Sequence, residues 1–185
     1  MMVLQGNDRE TIDACRRGDP DAFAALFEAN KDKVYSIALR YSGDATAAMD
    51  LSQEVFLKLL GKLGDYRGDA NFETWLYRVV VNACLDHHRR RRKLLPLVGE
   101  FLDLFRSPRE GALGALLRDE MQQNVQRVVG KLPSDLRMVV ILRYTEELSY
   151  DDIAEILGVP VGTVASRLSR AHKILERRLK QYAGA

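Results

Sequence analysis

An all-α fold, divided into two small helical domains joined by a linker, is what this sequence predicts. Apolar residues recur at spacings of three and four along most of the chain, and Val, Ile and Thr never settle into sustained alternation. That pattern belongs to amphipathic helices rather than half-buried strands. Helix-start signals stand in front of several of these runs, at Asp19-Pro20, Asp44, Asn71 and Ser149. A stretch around 93–115 carries Pro96 and Gly99 and separates two groups of helical pattern.

The elements follow in order. Asp19 caps a helix with Pro20 at its first position, over Asp21 to Asn30. Val34, Ile37, Ala38 and Tyr41 mark the next apolar stripe, and Ser42-Gly43-Asp44 is a turn that ends on a cap. The helix after it is expected to bury Met49, Val55, Phe56, Leu59 and Leu60. Tyr66 to Asn71 is a polar loop. Asn71 then caps a long helix with Trp75, Leu76, Val79, Val80, Ala83 and Cys84 inward, ending in the basic run His87 to Lys93. These elements make a first domain, 1–92. Between 93 and 115, Leu94, Leu97, Val98, Phe101, Leu102 and Phe105 keep helical spacing, so this linker is expected to dock on the chain rather than to behave as a polar tether. A second domain, 116–185, begins near Leu116 and runs through Lys131 to Arg137.

Composition limits the function. The 185 residues carry a net charge of only +2, so affinity for nucleic acid must come from local patches. Two cysteines, Cys15 and Cys84, lie far apart and in no CxxC pair, which suits a reducing, cytoplasmic setting. No signal-peptide pattern opens the chain, and no apolar window of about 18 residues exists to insert into a membrane. No Gly-rich phosphate loop and no catalytic constellation is present, so neither enzyme activity nor a cofactor is expected. Cys84, His87 and His88 offer two or three metal ligands without a fourth, and no metal site is expected there.

The most informative stretch is Leu148 to Leu179. Ser149 and Asp152 form a capping-box pattern, and Ile153, Ile156 and Leu157 give the helix behind them an apolar face. Gly158 supplies a left-handed turn and Pro160 suits the start of a second helix, whose buried face is Val164 and Leu168. The first helix is acidic (Asp151, Asp152, Glu155). The second carries Arg167, Arg170, Lys173, Arg177, Arg178 and Lys180 against Glu176. A plain helical hairpin needs no such asymmetry. A helix-turn-helix does, because the positive helix enters the DNA groove.

Upstream, Asp50, Gln53 and Glu54 share one side of a helix and Val55 and Phe56 another. The loop Tyr66-Arg67-Gly68-Asp69-Ala70-Asn71, with Phe72, Asn82 and the basic run beginning Arg89-Arg90, combines aromatics, polar groups and positive charge. That combination suits unstacked bases held beside phosphates.

Taken together, DLSQEVFLKLL, then YRGDANFETWLYRVVVNACLDHHRRRR, then LPSDLRMVVILRYTEELSYDDIAEILGVPVGTVASRLSRAHKIL, resemble a bacterial extracytoplasmic-function sigma factor over nearly the whole chain except its first residues and the linker. The resemblance implies a domain-2 bundle and a domain-4 helix-turn-helix, with core RNA polymerase and promoter DNA as partners. It also implies that Asp50, Gln53 and Glu54 grip the coiled coil of the largest polymerase subunit. Tyr66, Arg67, Gly68, Asp69, Ala70, Asn71, Phe72 and Asn82 would take a flipped base of the −10 element, and Arg89 and Arg90 the adjacent phosphates. Thr163, Ser166, Arg167, Arg170 and Lys173 would meet the −35 element. Ala165 departs from an arginine common at that place, and the linker is more apolar than relatives suggest. An anti-sigma partner is a family expectation. A helix-turn-helix repressor is the competing reading, but no dimer interface or effector pocket can be identified for one.

Overall fold

The computed structural model describes residues 9–66, 71–102 and 125–183, and among these no strand occurs. Helix α1 spans Arg9–Arg16 and buries Thr11, Ile12, Ala14 and Cys15. Nothing in the sequence announced it: eight residues with Ile12 and Cys15 as the larger apolar groups make too short a stripe.

Helix α2 runs unbroken over Pro20–Ser42, without the interruption expected after Asn30. Asn30 is buried, and its amide donates to the carbonyl of Leu26 at 2.8 Å, so the helix itself satisfies the polar group. The start is as expected: the Asp19 carboxylate accepts from the Asp21 and Ala22 amides at 2.9 and 3.2 Å. Gly43 ends the helix at φ 72°, where a side chain would be strained.

Helix α3, Ala45–Lys62, is capped by Asp44, whose carboxylate accepts from Ala47 N at 2.8 Å. It buries Ala48, Leu51, Val55, Phe56 and Leu59. Met49 and Leu60, expected inside, are 57% and 53% exposed. The Ala48–Leu51–Val55–Leu59 stripe already fills the inward face, and Met49 and Leu60 lie beside it.

After a 3-10 turn at Leu63–Asp65, helix α4 covers Phe72–Leu102. Asn71 caps it, accepting from Glu73 N at 3.1 Å. The helix does not stop at Lys93 but continues as backbone through Pro96, which deletes one amide donor without ending the helix. The linker stripe beyond Leu102, Phe105 included, lies outside the described residues.

Residues 125–130 are helical. Helix α5 spans Ser134–Tyr144, α6 Tyr150–Leu157 and α7 Val161–Ala183. The capping box at the head of α6 is present in both directions, and Gly158 closes the helix at φ 62° with its amide bonded to the Ala154 and Glu155 carbonyls.

Helices α2 and α3 pack side by side, with α1 against α2 and α4 across the pair. Helix α7 packs on α5 and α6. The two groups also meet each other, because α4 packs on α6 and α5 while α2 touches α5. The buried apolar residues form one contiguous cluster from Ile12 to Ala171. Helix α4 makes this continuity: Leu76, Tyr77, Val79, Val80, Val81, Ala83 and Cys84 are all buried, more than one helical face can hold. Among the described residues no helix is long and apolar enough to cross a membrane.

Candidate functional site

Three surfaces carry the chemistry. The first is the helix-turn-helix. Val164 and Leu168 are buried and fix the rotation of α7, as their spacing required. Arg170 and Lys173 point into solvent, and Thr163 is half-buried. Ser166 donates its hydroxyl to the Thr163 carbonyl at 3.0 Å. Arg167 is turned toward α5, with Nε 3.7 Å from the Asp135 carboxylate. Its side chain is only 24% exposed. The two arginines therefore differ in readiness, which their three-residue spacing did not show. Ala165 is exposed and leaves a bare methyl where a longer side chain would reach out.

The second surface is the start of α4. Tyr66, Phe72 and Trp75 form a cluster with ring centroids 5.3 to 5.7 Å apart, in tilted and edge-on arrangements that aromatic quadrupoles favour. Phe72 is buried beneath its neighbours, while Tyr66 and Trp75 are half-buried. Arg67, Gly68, Asp69 and Ala70 lie outside the described residues. Asn82 is exposed on α4. Arg78, Asn82 and Arg89 follow at spacings of four and seven, so they lie along one face. Arg89 pairs with Asp86 at 3.2 Å.

The third surface lies on α2 and α3. Phe23, Phe27, Tyr35, Met49, Phe56 and Leu57 line an open groove of about 650 Å³ with Gln53 on its edge. Leu57 is 71% exposed, and the Phe27 and Phe56 rings stack obliquely at 4.6 Å. A run of exposed large apolar groups beside one groove is uncommon on a monomer and marks a contact surface. The sequence hid it because Met49 and Leu60 read as core.

Asp50 and Gln53 are exposed on α3. Glu54 is not free: Lys58 Nζ lies 2.7 Å away and Arg90 donates to it at 2.5 Å. Burial pushes the Glu54 carboxyl up, but hydrogen bonds from Lys58 and Arg90 outweigh that and hold it below the ordinary carboxylate value. The sequence separated Glu54 and Arg90 into two sites, and the fold joins them.

Two family models match the chain. Sigma-70 region 2 covers residues 26–94 and Sigma-70, region 4 covers residues 122–175. The RNA polymerase sigma-H factor of Pseudomonas aeruginosa is 36% identical over 97% of both chains. This protein belongs to the extracytoplasmic-function sigma factors. The sigma-E factor of Escherichia coli K12 is 35% identical over 97% of both chains, and SigW of Bacillus subtilis is 32% identical over 93% of this chain and 96% of its own. Among solved structures, CnrH in complex with the cytosolic domain of CnrY has a TM-score of 0.69 at 23% identity, over 95% of this chain and 98% of that one; it speaks for the fold alone. RpoE in complex with the anti-sigma factor NepR from Bartonella quintana has a TM-score of 0.66 at 25% identity, over 85% of this chain and 96% of that one. The function of this sigma factor is promoter-specific initiation of transcription with core RNA polymerase. Sigma factors are initiation factors rather than enzymes as a class.

Proposed function

We propose a division of labour within this sigma factor. Residues 1–92 form the domain that binds core polymerase and reads and melts the −10 element, 93–115 connect, and 116–185 read the −35 duplex. The observation that carries the assignment is the apolar groove on α2 and α3, with Gln53 on its edge and Asp50 and Glu54 on the same helix. A groove of this kind suits a helical element laid into it, with polar residues fixing register at the rim. Asp50, Gln53 and Glu54 meet the coiled coil of the largest polymerase subunit. Tyr66, residues 67–71, Phe72 and Asn82 take the flipped −10 base; extruding it costs a few kcal/mol, which stacking and hydrogen bonds to the base edge offset. Arg89 and Arg90 hold the neighbouring phosphates, and Thr163, Ser166, Arg167, Arg170 and Lys173 approach the −35 groove.

The chain works in the cytoplasm and carries out no chemistry of its own. An anti-sigma protein is its regulatory partner, as for the structural relative bound to NepR. The test is run-off transcription with purified core polymerase. Asp50→Lys with Glu54→Lys weakens core binding and lowers transcript yield while helical content stays unchanged. Core affinity equal to that of the parent chain overturns the groove assignment.

A further inference from the structure

Lys33 on α2 reaches a residue 40 positions away, which sets it apart from nearby Lys31. Lys31 pairs with Glu28 at 2.5 Å, one turn back along the same helix. Lys33 instead donates from Nζ to the Glu73 carboxylate in the first turn of α4. The same ammonium lies over the Tyr77 ring, 5.3 Å from its centroid. At that distance the negative face of the ring attracts the cation. Glu73 is held a second time, because its amide donates to the Asn71 side chain at 3.1 Å. A continuous set of contacts therefore runs from α2 through Glu73 to Asn71, a residue assigned above to the −10 base.

The tie lies behind the face that meets the strand. Trp75, Arg78, Asn82 and Arg89 follow at spacings of three, four and seven and share one face of α4. Glu73 and Tyr77 each stand two residues from Trp75, about 160° round the helix at roughly 100° per residue. Lys33 thus grips α4 on the side away from the strand-facing residues. From Phe72 to Trp75 only Phe72 is buried, so core packing holds this turn chiefly through one side chain. With the Lys33 and Glu73 side chains 31% and 48% exposed, their ion pair adds little to global stability. Fixing the rotation of one helical turn is a different task, and here it decides where Asn71, Phe72 and Trp75 point.

We propose that Lys33 is a positioning residue for −10 recognition: through Glu73 and Tyr77 it sets the rotation of the first turn of α4, and so the placement of the base-binding side chains at its head. Lys33 itself meets no DNA. The inference rests on the −10 assignment of the preceding section.

The test is charge reversal in the full chain: Lys33→Glu, Glu73→Lys and the two together, with Lys33→Arg as the conservative variant. Holoenzyme affinity is measured on fork DNA with the flipped −10 base intact and on the same fork with that nucleotide abasic. Both forks carry the same phosphates, so general attraction to DNA cancels in the ratio of the two affinities. Each single reversal should lower the ratio roughly fivefold, equivalent to about 1 kcal/mol. Either one serves if the other fails to fold. The double variant restores the ion pair but not the contact with the Tyr77 ring, so it should recover most of the loss. Lys33→Arg should keep the parent ratio. Trp75, the only tryptophan of the chain, reports the same rotation in the free protein. Its quenching by acrylamide should change in the single variants and return toward the parent value in the double one. An unchanged ratio in the single variants overturns the proposal, including equal loss on both forks, which marks a phosphate contact. Additive losses in the double variant overturn the ion pair as the tie. If the parent chain does not distinguish the two forks, the −10 assignment fails, and Trp75 quenching still decides whether Lys33 sets the first turn.

Discussion

Replacing Arg170 and replacing Arg167 should have different consequences. Arg170 is exposed to solvent, whereas Arg167 faces Asp135 at 3.7 Å. Two unit charges at that distance in water attract by about 1 kcal/mol. Asp135 is 49% exposed, so entropy and salt reduce the net value to about 0.2–1 kcal/mol. A bidentate contact to guanine is worth about 1–3 kcal/mol of discrimination. Arg170→Ala should therefore weaken holoenzyme binding to the preferred −35 duplex by roughly 5- to 150-fold and flatten the preference at one base pair. Asp135→Asn should strengthen binding by no more than about fivefold, because it releases Arg167 from an interaction worth at most about 1 kcal/mol. Lys173→Ala should weaken all sequences alike. The assay is binding to a set of single-base-substituted −35 duplexes at two salt concentrations. The reasoning is refuted if Arg170→Ala weakens every duplex equally while Arg167→Ala removes preference at one position. Uniform loss in both variants would move specificity to DNA shape.

Three further outcomes are expected. Gly158→Ala should destabilise the chain by about 1 kcal/mol in denaturant unfolding, and Gly158→Asn by less. No atom lies within 4 Å of the added Cβ, so the cost is the left-handed backbone at φ 62°, reduced by the lower entropy of the unfolded alanine chain. Glu54 has a folded-state value below 4.5, so its contribution to stability is complete above that value and is lost as pH falls through the lower folded one. Glu54→Gln should remove that part of the acid-induced loss seen in thermal melts. Burial pushes the Cys84 thiol up to about 12 and raises Cys15 as well. Neither should react with an aromatic disulfide reagent at pH 8 until the chain unfolds; rapid labelling of the native chain would contradict the packing around α4.

What the sequence disclosed was local. The capping box of Ser149 and Asp152, the left-handed Gly158 and the inward Val164 and Leu168 are each decided by residues within one or two helical turns, and the structure has them as read. The errors arise where another interaction overrides the local signal. Asn30 looked like a helix end because its amide competes with the backbone, yet inside α2 that amide bonds back to Leu26. Met49 and Leu60 are apolar at core spacing, but the neighbouring stripe of α3 had already taken the inward position. Glu54 with Arg90 and Arg78 with Glu155 lie 36 and 77 residues apart, beyond any periodicity. Even the length of α4 was misjudged, because Pro96 is a strong local breaker that this helix passes over.

Helix α4 is buried on more than one side, and this bears on how long the protein survives. Unfolding of either half must expose part of the same apolar cluster, so the halves should lose structure together rather than one at a time. A protease that needs an unfolded stretch then meets one barrier for the whole chain instead of a weaker one for each half. Once the halves part, α4 exposes apolar surface, and that shared protection ends.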